Sequence, residues 1–256
     1  MKIFGIIPAR MGSSRFPGKP LFKIADKPMI EHVYRRASLY KNWDQLILTT
    51  CDQEIEDEAQ KIGIPCKRTG SHHVRALDRV AEAYHLIANS PDPNDIVVNV
   101  QGDEPMLDPE MLRIVIDPLL ENNSKVATVL AIDIADEELW LNPDTVKIVH
   151  NDMGEILYTS RAPLPYANNG FSKDLGAKRV GGIFAFRWKY LEKFTNFPET
   201  RLEKLESCDS NRVLDMDFRQ YIASYPAKKI YSVDSPSDIQ LVEDAIRLDP
   251  IWNLYN

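Results

Sequence analysis

Short apolar runs alternate with amphipathic segments over the first hundred residues. The runs are almost unbroken, a pattern typical of strands that are buried on both faces, and they lie at residues 2–7, 45–50 and 95–100. The segments between them repeat apolar residues at helical spacing and predict helices at 29–39, 52–62 and 78–88, the second with Asp52 as its N-cap. Strand alternating with helix predicts a mostly parallel sheet covered by helices on both faces.

The second half of the chain has a different pattern. Strand-like segments lie at residues 126–132, 145–149, 155–159 and 182–186, with a hairpin turn at 151–154. The polar stretch 166–178 predicts a mobile loop, and 190–194 and 201–214 predict helices. A last strand is expected at 228–233 and a last helix at 236–248, with Ser235 as its N-cap. We therefore expect one α/β domain over 1–256, a three-layer α/β/α nucleotide-binding fold with an inserted strand-rich subregion at about 120–230.

Composition narrows the class of protein. The chain has 256 residues, 44% of them apolar and 27% charged, as expected of a globular protein. Its net charge of −7 argues against nucleic-acid binding, which depends on excess positive charge. The three cysteines are far apart and form no CxxC pair, which favours a reducing compartment. With no signal-peptide pattern and no apolar run long enough for a bilayer, we expect a cytoplasmic protein without membrane insertion.

The loop at residues 8–19 carries the strongest chemical signal. It follows the first predicted strand and combines two glycines and two serines with the cations Arg10, Arg15 and Lys19. Glycines allow a phosphate to approach backbone N–H groups, arginine binds phosphate oxygens in a bidentate manner, and lysine adds a point charge. The loop contains neither GxxxxGK[ST] nor GxGxxG, so it is neither a Walker A loop nor a dinucleotide fingerprint. It predicts an anion site at the carboxyl end of a strand.

Acidic residues follow two other predicted strands. Asp103, in NVQGDEP, and Asp234, in VDSPSDI, are placed where a carboxylate can hold Mg²⁺ beside a bound triphosphate. The alternative for both is capping of the next turn or helix, which Ser235 or Ser237 can also do. The pair Asp215 and Asp217 is a further candidate, although a solvated helix end explains it as well.

Five sequence blocks resemble one family in the same order along the chain. The blocks are IPARMGSSRFPGKPL, NVQGDEP, VKIVHNDMGEILYTSRAPLPY, GGIFAFR and VDSPSDI, and the family is the CMP-Kdo synthetases, the 3-deoxy-D-manno-octulosonate cytidylyltransferases. The first block is shared with CMP-sialic acid synthetases and related cytidylyltransferases, whereas the SRAPLP block at 160–165 is the more specific link to the Kdo branch. The resemblance covers nearly the whole chain.

The resemblance implies a Mg²⁺-dependent reaction in which CTP and an acidic 2-keto sugar give a CMP-sugar and pyrophosphate, for surface glycan or lipopolysaccharide synthesis, in a homodimer. It places nucleotide binding on Arg10, Ser13, Arg15, Lys19, Arg79 and Gln101, and the metal on Asp103 and Asp234. Arg10, Lys19 and Asp103 are the expected catalytic residues. They would stabilise charge that grows on phosphate oxygens as the sugar hydroxyl attacks the α-phosphorus, with no covalent enzyme intermediate.

Departures from the family pattern concentrate on the sugar side. Residues 75–79 are RALDR in place of Ser-Gly-Thr-Asp/Glu-Arg, and 209–212 are DSNR in place of Glu-Gln-Leu-Arg. The histidine of a His-x-Gly-Ile pattern is replaced by Val180. Because unmatched polar groups in a specific pocket are costly, we expect a modified or neighbouring acceptor. In 8-amino-Kdo, for example, an ammonium would pair with Asp209.

Four residues are the expected sugar-binding set: Tyr158, Arg161, Asp209 and Ser210. Arg161 lies in the matched block and can meet the substrate carboxylate. Arg179 is a further candidate, although arginines at such positions are commonly on the surface. His72 and His73 suggest a metal, but neighbours on an extended chain point apart, which favours a polar loop; His73 does match a histidine of the family.

Two other functions remain open from the residues alone. A CMP-sialic or related nonulosonic acid synthetase would share the first block, and a catalytically inactive CTP-binding paralogue would keep the nucleotide residues. The SRAPLP block argues against the first, and the presence of Lys19, Asp103 and Asp234 argues against the second. A dehydrogenase is disfavoured because the glycine fingerprint of dinucleotide sites is missing.

Overall fold

The chain folds into two compact units. The computed structural model describes residues 1–12, 16–227, 233 and 235–256. One unit combines Met1–Arg113 with Lys229–Asn256, and the other is Ile114–Lys228. We call them unit 1 and unit 2.

Unit 1 contains most of the predicted alternation of strand and helix. Its elements are β1 (Ile3–Pro8), β2 (Lys23–Ile24), β3 (Lys27–Pro28), α1 (Met29–Ala37), β4 (Gln45–Thr50), α2 (Gln53–Lys61), β5 (Cys66–Arg68), α3 (Ala76–Ile87) and β6 (Ile96–Asn99). The three predicted strands and three predicted helices of this region are all present, within two residues at each end. Strands β6, β1, β4 and β5 are neighbours in that order, and all three of their pairings are parallel.

The strand order of unit 1 creates a binding crevice. The chain passes from β1 through β4 to β5, then returns through α3 to β6 on the other side of β1. Because parallel crossovers are right-handed, α1 and α2 cover one face of the sheet and α3 covers the other. Phe4 of β1 packs edge-on against Tyr84 of α3, with ring centroids 5.0 Å apart. The direction of winding reverses between β1 and β6, and ligands of such sheets bind beyond the carboxyl ends of the strands at that point.

Unit 2 is strand-rich and more antiparallel. Its elements are α4 (Pro109–Glu121, which begins just before the unit), β7 (Ala127–Asp133), α5 (Glu137–Leu141), β8 (Lys147–His150), β9 (Ile156–Ser160), β10 (Lys178–Arg187), α6 (Trp188–Asn196), α7 (Arg201–Glu206), α8 (Ser210–Val213) and β11 (Tyr221–Tyr225). β10 pairs antiparallel with β7 and β8, β8 pairs antiparallel with β9, and β11 is parallel to β7. The predicted turn at 151–154 joins β8 to β9, with Gly154 at φ +78°.

The single helix predicted over 201–214 is wrong, because the chain breaks between α7 and α8 at Ser207, where φ is +50°. The cause is a buried ion pair. Arg212 donates to Glu203 from Nε (2.8 Å) and Nη2 (2.6 Å), and both side chains are almost fully buried. Nine residues along one helix would separate them by about 13 Å and place them on opposite sides. Two buried charges must meet to be stable, so the helix cannot continue.

Other predictions for the second half are met only in part. The predicted mobile loop at 166–178 contains a short 3-10 helix, and the Phe171 ring packs on Trp140 with centroids 6.0 Å apart, which anchors part of the segment. Most of the strand predicted at 228–233 lies outside the described residues. β11 was not predicted, because its small residues Ala223 and Ser224 weaken the apolar pattern.

The last helix, α9 (Asp238–Leu248), starts two residues later than predicted. Ser235 is not its N-cap. Instead, the Ser235 N–H donates to the Asp238 carboxylate at 2.7 Å, and Ser237 occupies the cap position. Within the described part of the chain, no helix combines the length and apolar character needed to cross a bilayer.

Candidate functional site

The loops that follow β1 and β6 meet at the crevice of unit 1. Lys19 Nζ donates to Asp103 Oδ2 and to the main-chain oxygen of Val233, each at 2.8 Å. Gly102 allows the loops to approach this closely, since a Cβ at this position would lie 2.5 Å from the Pro8 carbonyl oxygen. A cation from one loop and a carboxylate from the other therefore share one site, although 84 residues separate them in the chain.

The loop after β1 is closed by main-chain bonds. Gly18, at φ +76°, donates its N–H to the Met11 carbonyl at 3.1 Å and leads into the 3-10 turn that carries Lys19. The Met11 N–H donates to the Asp52 carboxylate at 2.7 Å. Asp52 occupies the N-cap position of α2 as predicted, but its side chain does not cap that helix, because the carboxylate is bonded to the loop instead. Ser13 and Arg15, both predicted to bind the nucleotide, lie outside the described residues.

A cavity of about 340 Å³ opens between these loops and the start of α3. Among the described residues, its polar lining is mainly cationic and consists of Arg10, Lys19, His73, Arg75, Arg79, Gln101 and Asp103. This volume lies in the range of small-molecule sites, and among its lining residues four cations face one carboxylate. The arrangement suits a ligand with several negative charges, such as a triphosphate.

The two predicted nucleotide arginines other than Arg15 are held differently. Arg79 is only 3% exposed, and its guanidinium donates to Thr69 Oγ1 (2.7 Å), to the Gly70 carbonyl (3.2 Å) and to Cys51 Sγ (3.4 Å). Arg10 is exposed and makes a long contact of 3.5 Å from Nη1 to the Val74 carbonyl. Arg79 is thus pre-oriented by the protein, whereas most donors of Arg10 have no acceptor among the described residues and can bind a ligand.

Asp103 is the carboxylate among the described residues that line this cavity, and 40% of its side chain is exposed. An exposed carboxylate among cations that can hold phosphates fits Mg²⁺, which takes hard oxygen ligands from one or two carboxylates and from the substrate. Asp234, the second predicted metal ligand, lies outside the described residues. Of the other acidic pair, Asp217 accepts a hydrogen bond from Lys193 at 2.8 Å on the surface, which agrees with the alternative of a solvated helix end.

On the predicted sugar side, in unit 2, Tyr158 and Arg161 meet at Glu206. The Tyr158 hydroxyl donates to Glu206 Oε1 at 2.9 Å, and the Arg161 N–H donates to Oε2 at 2.9 Å. The Arg161 side chain is fixed by bonds from Nε to the Glu206 carbonyl (2.9 Å) and from Nη1 to the Pro143 carbonyl (2.8 Å). Sequence reasoning missed Glu206, because nothing in its local pattern distinguishes it from a solvated helical glutamate.

The Glu206 carboxylate accepts hydrogen bonds from three residues and is ionised. Burial raises its pKa, but bonds from the Arg161 N–H, the Ser160 hydroxyl and the Tyr158 hydroxyl outweigh burial and lower the pKa below the ordinary value. The same contact acts in the other direction on Tyr158, whose pKa is raised by burial and by the hydrogen bond to Glu206. At neutral pH Glu206 is therefore a carboxylate that accepts a hydrogen bond from the neutral Tyr158 phenol.

The other two predicted sugar residues lie on α8. Asp209 is half-buried at the start of this helix, and Ser210 is 2% exposed. Ser210 lines a cavity of about 290 Å³ together with Glu155 and Arg219, and neither Tyr158 nor Arg161 lines that cavity. The four predicted residues thus occupy two places in unit 2. On β10, Arg179 lies opposite Lys147 in the antiparallel register with β8. The neighbouring Val180 is half-buried.

Comparison with known proteins agrees with this geometry. Residues 4–224 match the family described as Cytidylyltransferase. A 3-deoxy-manno-octulosonate cytidylyltransferase of Nitratidesulfovibrio vulgaris (strain DP4) is 40% identical over 248 residues, which cover 95% of this chain and 96% of that one. An 8-amino-3,8-dideoxy-manno-octulosonate cytidylyltransferase of Shewanella pealeana is 35% identical over 254 residues, covering 97% and 100% of the two chains.

A solved structure extends the comparison to the fold. A CMP:2-keto-3-deoxy-manno-octonic acid synthetase complexed with CTP superposes with a TM-score of 0.88 at 31% identity, covering 97% of this chain and 99% of that one. The predicted α/β nucleotide-binding fold and the resemblance stated from the sequence are both confirmed. The chain belongs to the CMP-Kdo synthetase family of cytidylyltransferases.

Proposed function

We propose that the chain transfers CMP from CTP to the anomeric hydroxyl of an acidic 2-keto-3-deoxy sugar, Kdo or 8-amino-Kdo, and releases pyrophosphate. The observation that carries this proposal is the contact of Lys19 with Asp103 inside a cationic cavity at the crevice of unit 1. Relatives named for the transfer of CMP to Kdo and to 8-amino-Kdo, and a structural neighbour complexed with CTP, support it.

The residues of the cavity have different roles in the transfer of CMP. Lys19 and Arg10 grip the phosphates and neutralise charge that grows on the leaving pyrophosphate and the non-bridging oxygens. Arg79, fixed by Thr69 and the Gly70 carbonyl, orients the nucleotide without having to reorganise during the reaction. The sugar hydroxyl attacks the α-phosphorus directly, in line with the leaving pyrophosphate, so the protein needs no nucleophile of its own.

Magnesium is the cofactor we propose, with Asp103 and Asp234 as its protein ligands. When bound, the ion supplies Lewis-acid stabilisation of phosphate charge. The exposed oxygens of Asp103 support this choice, since they lie in the same cavity as the proposed phosphate-binding cations. The three cysteines are free, as in a reducing compartment, so we place the reaction in the cytoplasm, with the CMP-sugar passing to surface glycan or lipopolysaccharide synthesis.

For the acceptor we favour 8-amino-Kdo over Kdo. The family has a histidine at the position of Val180, and valine has no side-chain hydrogen-bonding group. The binding of an unmodified sugar hydroxyl at this position is therefore weaker. Asp209 offers a half-buried carboxylate, the natural partner of an ammonium. The relative from Shewanella pealeana, named for the 8-amino sugar, supports this choice.

A panel of acceptors tests both levels of the proposal. With CTP and Mg²⁺ held constant, pyrophosphate release is measured for Kdo, 8-amino-Kdo and a sialic acid. We expect the highest kcat/KM with 8-amino-Kdo, because its ammonium can pair with Asp209. A higher value with Kdo overturns the choice of acceptor, and a higher value with sialic acid favours the nonulosonic branch. CTP binding without turnover of any sugar identifies an inactive paralogue.

Substitution of Lys19 tests the cavity itself. Lys19→Ala should lower kcat/KM by at least about a hundredfold, because it removes a cation from the leaving-group oxygens. Asp103→Asn should have a similar effect, through loss of its negative charge. The control is Lys23→Ala, which removes an exposed lysine from β2 and should leave the rate within a fewfold. Rates like those of the wild type in Lys19→Ala would refute the proposed site.

Glu206→Gln tests the acceptor side separately from the nucleotide side. Glutamine presents an NH₂ group in place of one carboxylate oxygen, so either the Tyr158 and Ser160 hydroxyls or the Arg161 N–H lose their acceptor. The KM for the sugar should rise roughly tenfold while the KM for CTP stays unchanged. Exposed Glu121→Gln serves as control. Equal changes in both KM values would exclude a role confined to the acceptor.

A homodimer is the proposed assembly, with its contact in unit 2. Large apolar side chains are exposed there, among them Met153 (79%), Leu157 (51%) and Tyr166 (80%). Exposed apolar side chains of this size commonly mark protein–protein contacts. Light scattering should give twice the mass of one chain, and Leu157→Lys should shift it toward the monomer. A wild-type mass of one chain at micromolar concentration would contradict the dimer.

A further inference from the structure

Three metal-ligating side chains converge at the rim of the nucleotide cavity. His72 and His73 precede α3, Glu82 lies on it, and one ligand atom from each is within 4.8 Å of the other two. The sequence-based argument that adjacent histidines point apart assumes an extended chain. Here the backbone turns at residues 71–72. The centroids of the two imidazole rings are 4.1 Å apart, and the ring planes are inclined by 43°. The pair can therefore face one ion.

Gly70 makes the room for this arrangement. A Cβ at residue 70 would lie 2.4 Å from His72 Cε1 and 3.4 Å from Glu82 Oε2, so any other residue would push the His72 ring away. The Gly70 N–H also donates to both oxygens of Glu82, at 3.2 and 3.0 Å. The carboxylate is thus oriented toward the histidines by the same residue that lets them approach.

The donor set selects a particular class of ion. Burial raises the pKa of Glu82, but the hydrogen bonds from His73 and the Gly70 N–H outweigh it and keep the carboxylate ionised. Two imidazoles and one carboxylate are ligands of Zn²⁺ and its transition-metal neighbours. Mg²⁺ prefers oxygen ligands, as at Asp103. The two sites in unit 1 therefore differ in the metal they suit.

We propose that His72, His73 and Glu82 form a binding site for a divalent transition-metal ion such as Zn²⁺ beside the nucleotide cavity. Binding at His73 Nε2 replaces its hydrogen bond to Glu82, and neutral His73 then holds its one ring proton on Nδ1, so no proton is lost from the neutral ring. Three protein ligands leave one position open to water or an anion. His73 lines the nucleotide cavity and Glu82 lies on the same helix as Arg79, so the ion fastens the rim of the cavity to α3.

Metal titration tests the site with the full-length protein. Zn²⁺ competition against a chromogenic chelator, with Co²⁺ absorption as a second probe, should give one site per chain. His72→Ala and Glu82→Gln should each weaken it by at least about tenfold. The matched control is His85→Ala, which removes an exposed histidine at the end of α3 and should bind as tightly as the wild type.

Gly70→Ala provides an independent test, because it retains all three ligands. Displacement of the His72 ring should weaken Zn²⁺ binding as much as His72→Ala does, with metal-free circular dichroism showing that each variant is folded. Unchanged affinity in His72→Ala and Glu82→Gln, or no stoichiometric binding by the wild type, would overturn the proposal. So would a thiolate-to-cobalt charge-transfer band, which would assign the ion to a cysteine.

Discussion

The contact between Lys19 and Asp103 holds the nucleotide side of this protein together. An ammonium group has three N–H donors, and two of those of Lys19 are used by Asp103 and the Val233 carbonyl. Among the described residues the third has no acceptor, and it can donate to a phosphate. The same bonds join two loops and the returning C-terminal segment, so a ligand held by Lys19 is held by three distant parts of the chain. This convergence lies where the direction of strand winding reverses, which is the point at which sheets of this kind bind ligands.

In unit 2, a carboxylate has the connecting role that the Lys19 ammonium has in unit 1. Glu206 collects donors from Tyr158, Ser160 and Arg161, so β9 and the end of α7 are fixed by one carboxylate. Because α7 ends at this residue, the break at Ser207 positions both Glu206 and the following helix. The buried pair of Glu203 and Arg212 causes that break. The buried pair of Glu203 and Arg212 thereby acts indirectly, through Glu206, on Tyr158 and Arg161, which are proposed to bind the sugar.

The rim of the nucleotide cavity shows how one turn changes the chemistry of neighbouring residues. His72 and His73 would be separate polar groups on an extended chain, whereas the turn beside Gly70 brings them together with Glu82. The nitrogen-rich donor set proposed there lies in the same unit as the oxygen ligands of Asp103. Because the two sets suit different ions, the proposed sites do not compete for the same metal.

Local pattern was sufficient for β1, β4, β6 and the first three helices of unit 1, but not for the short strands β2, β3 and β5. The longer elements could be predicted because buried strands and amphipathic helices have distinct periods, and the loops of Lys19 and Asp103 could be associated because both follow parallel strands. The role of Glu206, the helix break at Ser207 and the meeting of His72 with Glu82 required the tertiary structure. Each depends on side chains distant in sequence or on a turn with no local signature, and a contact between distant residues leaves no periodic trace in the chain.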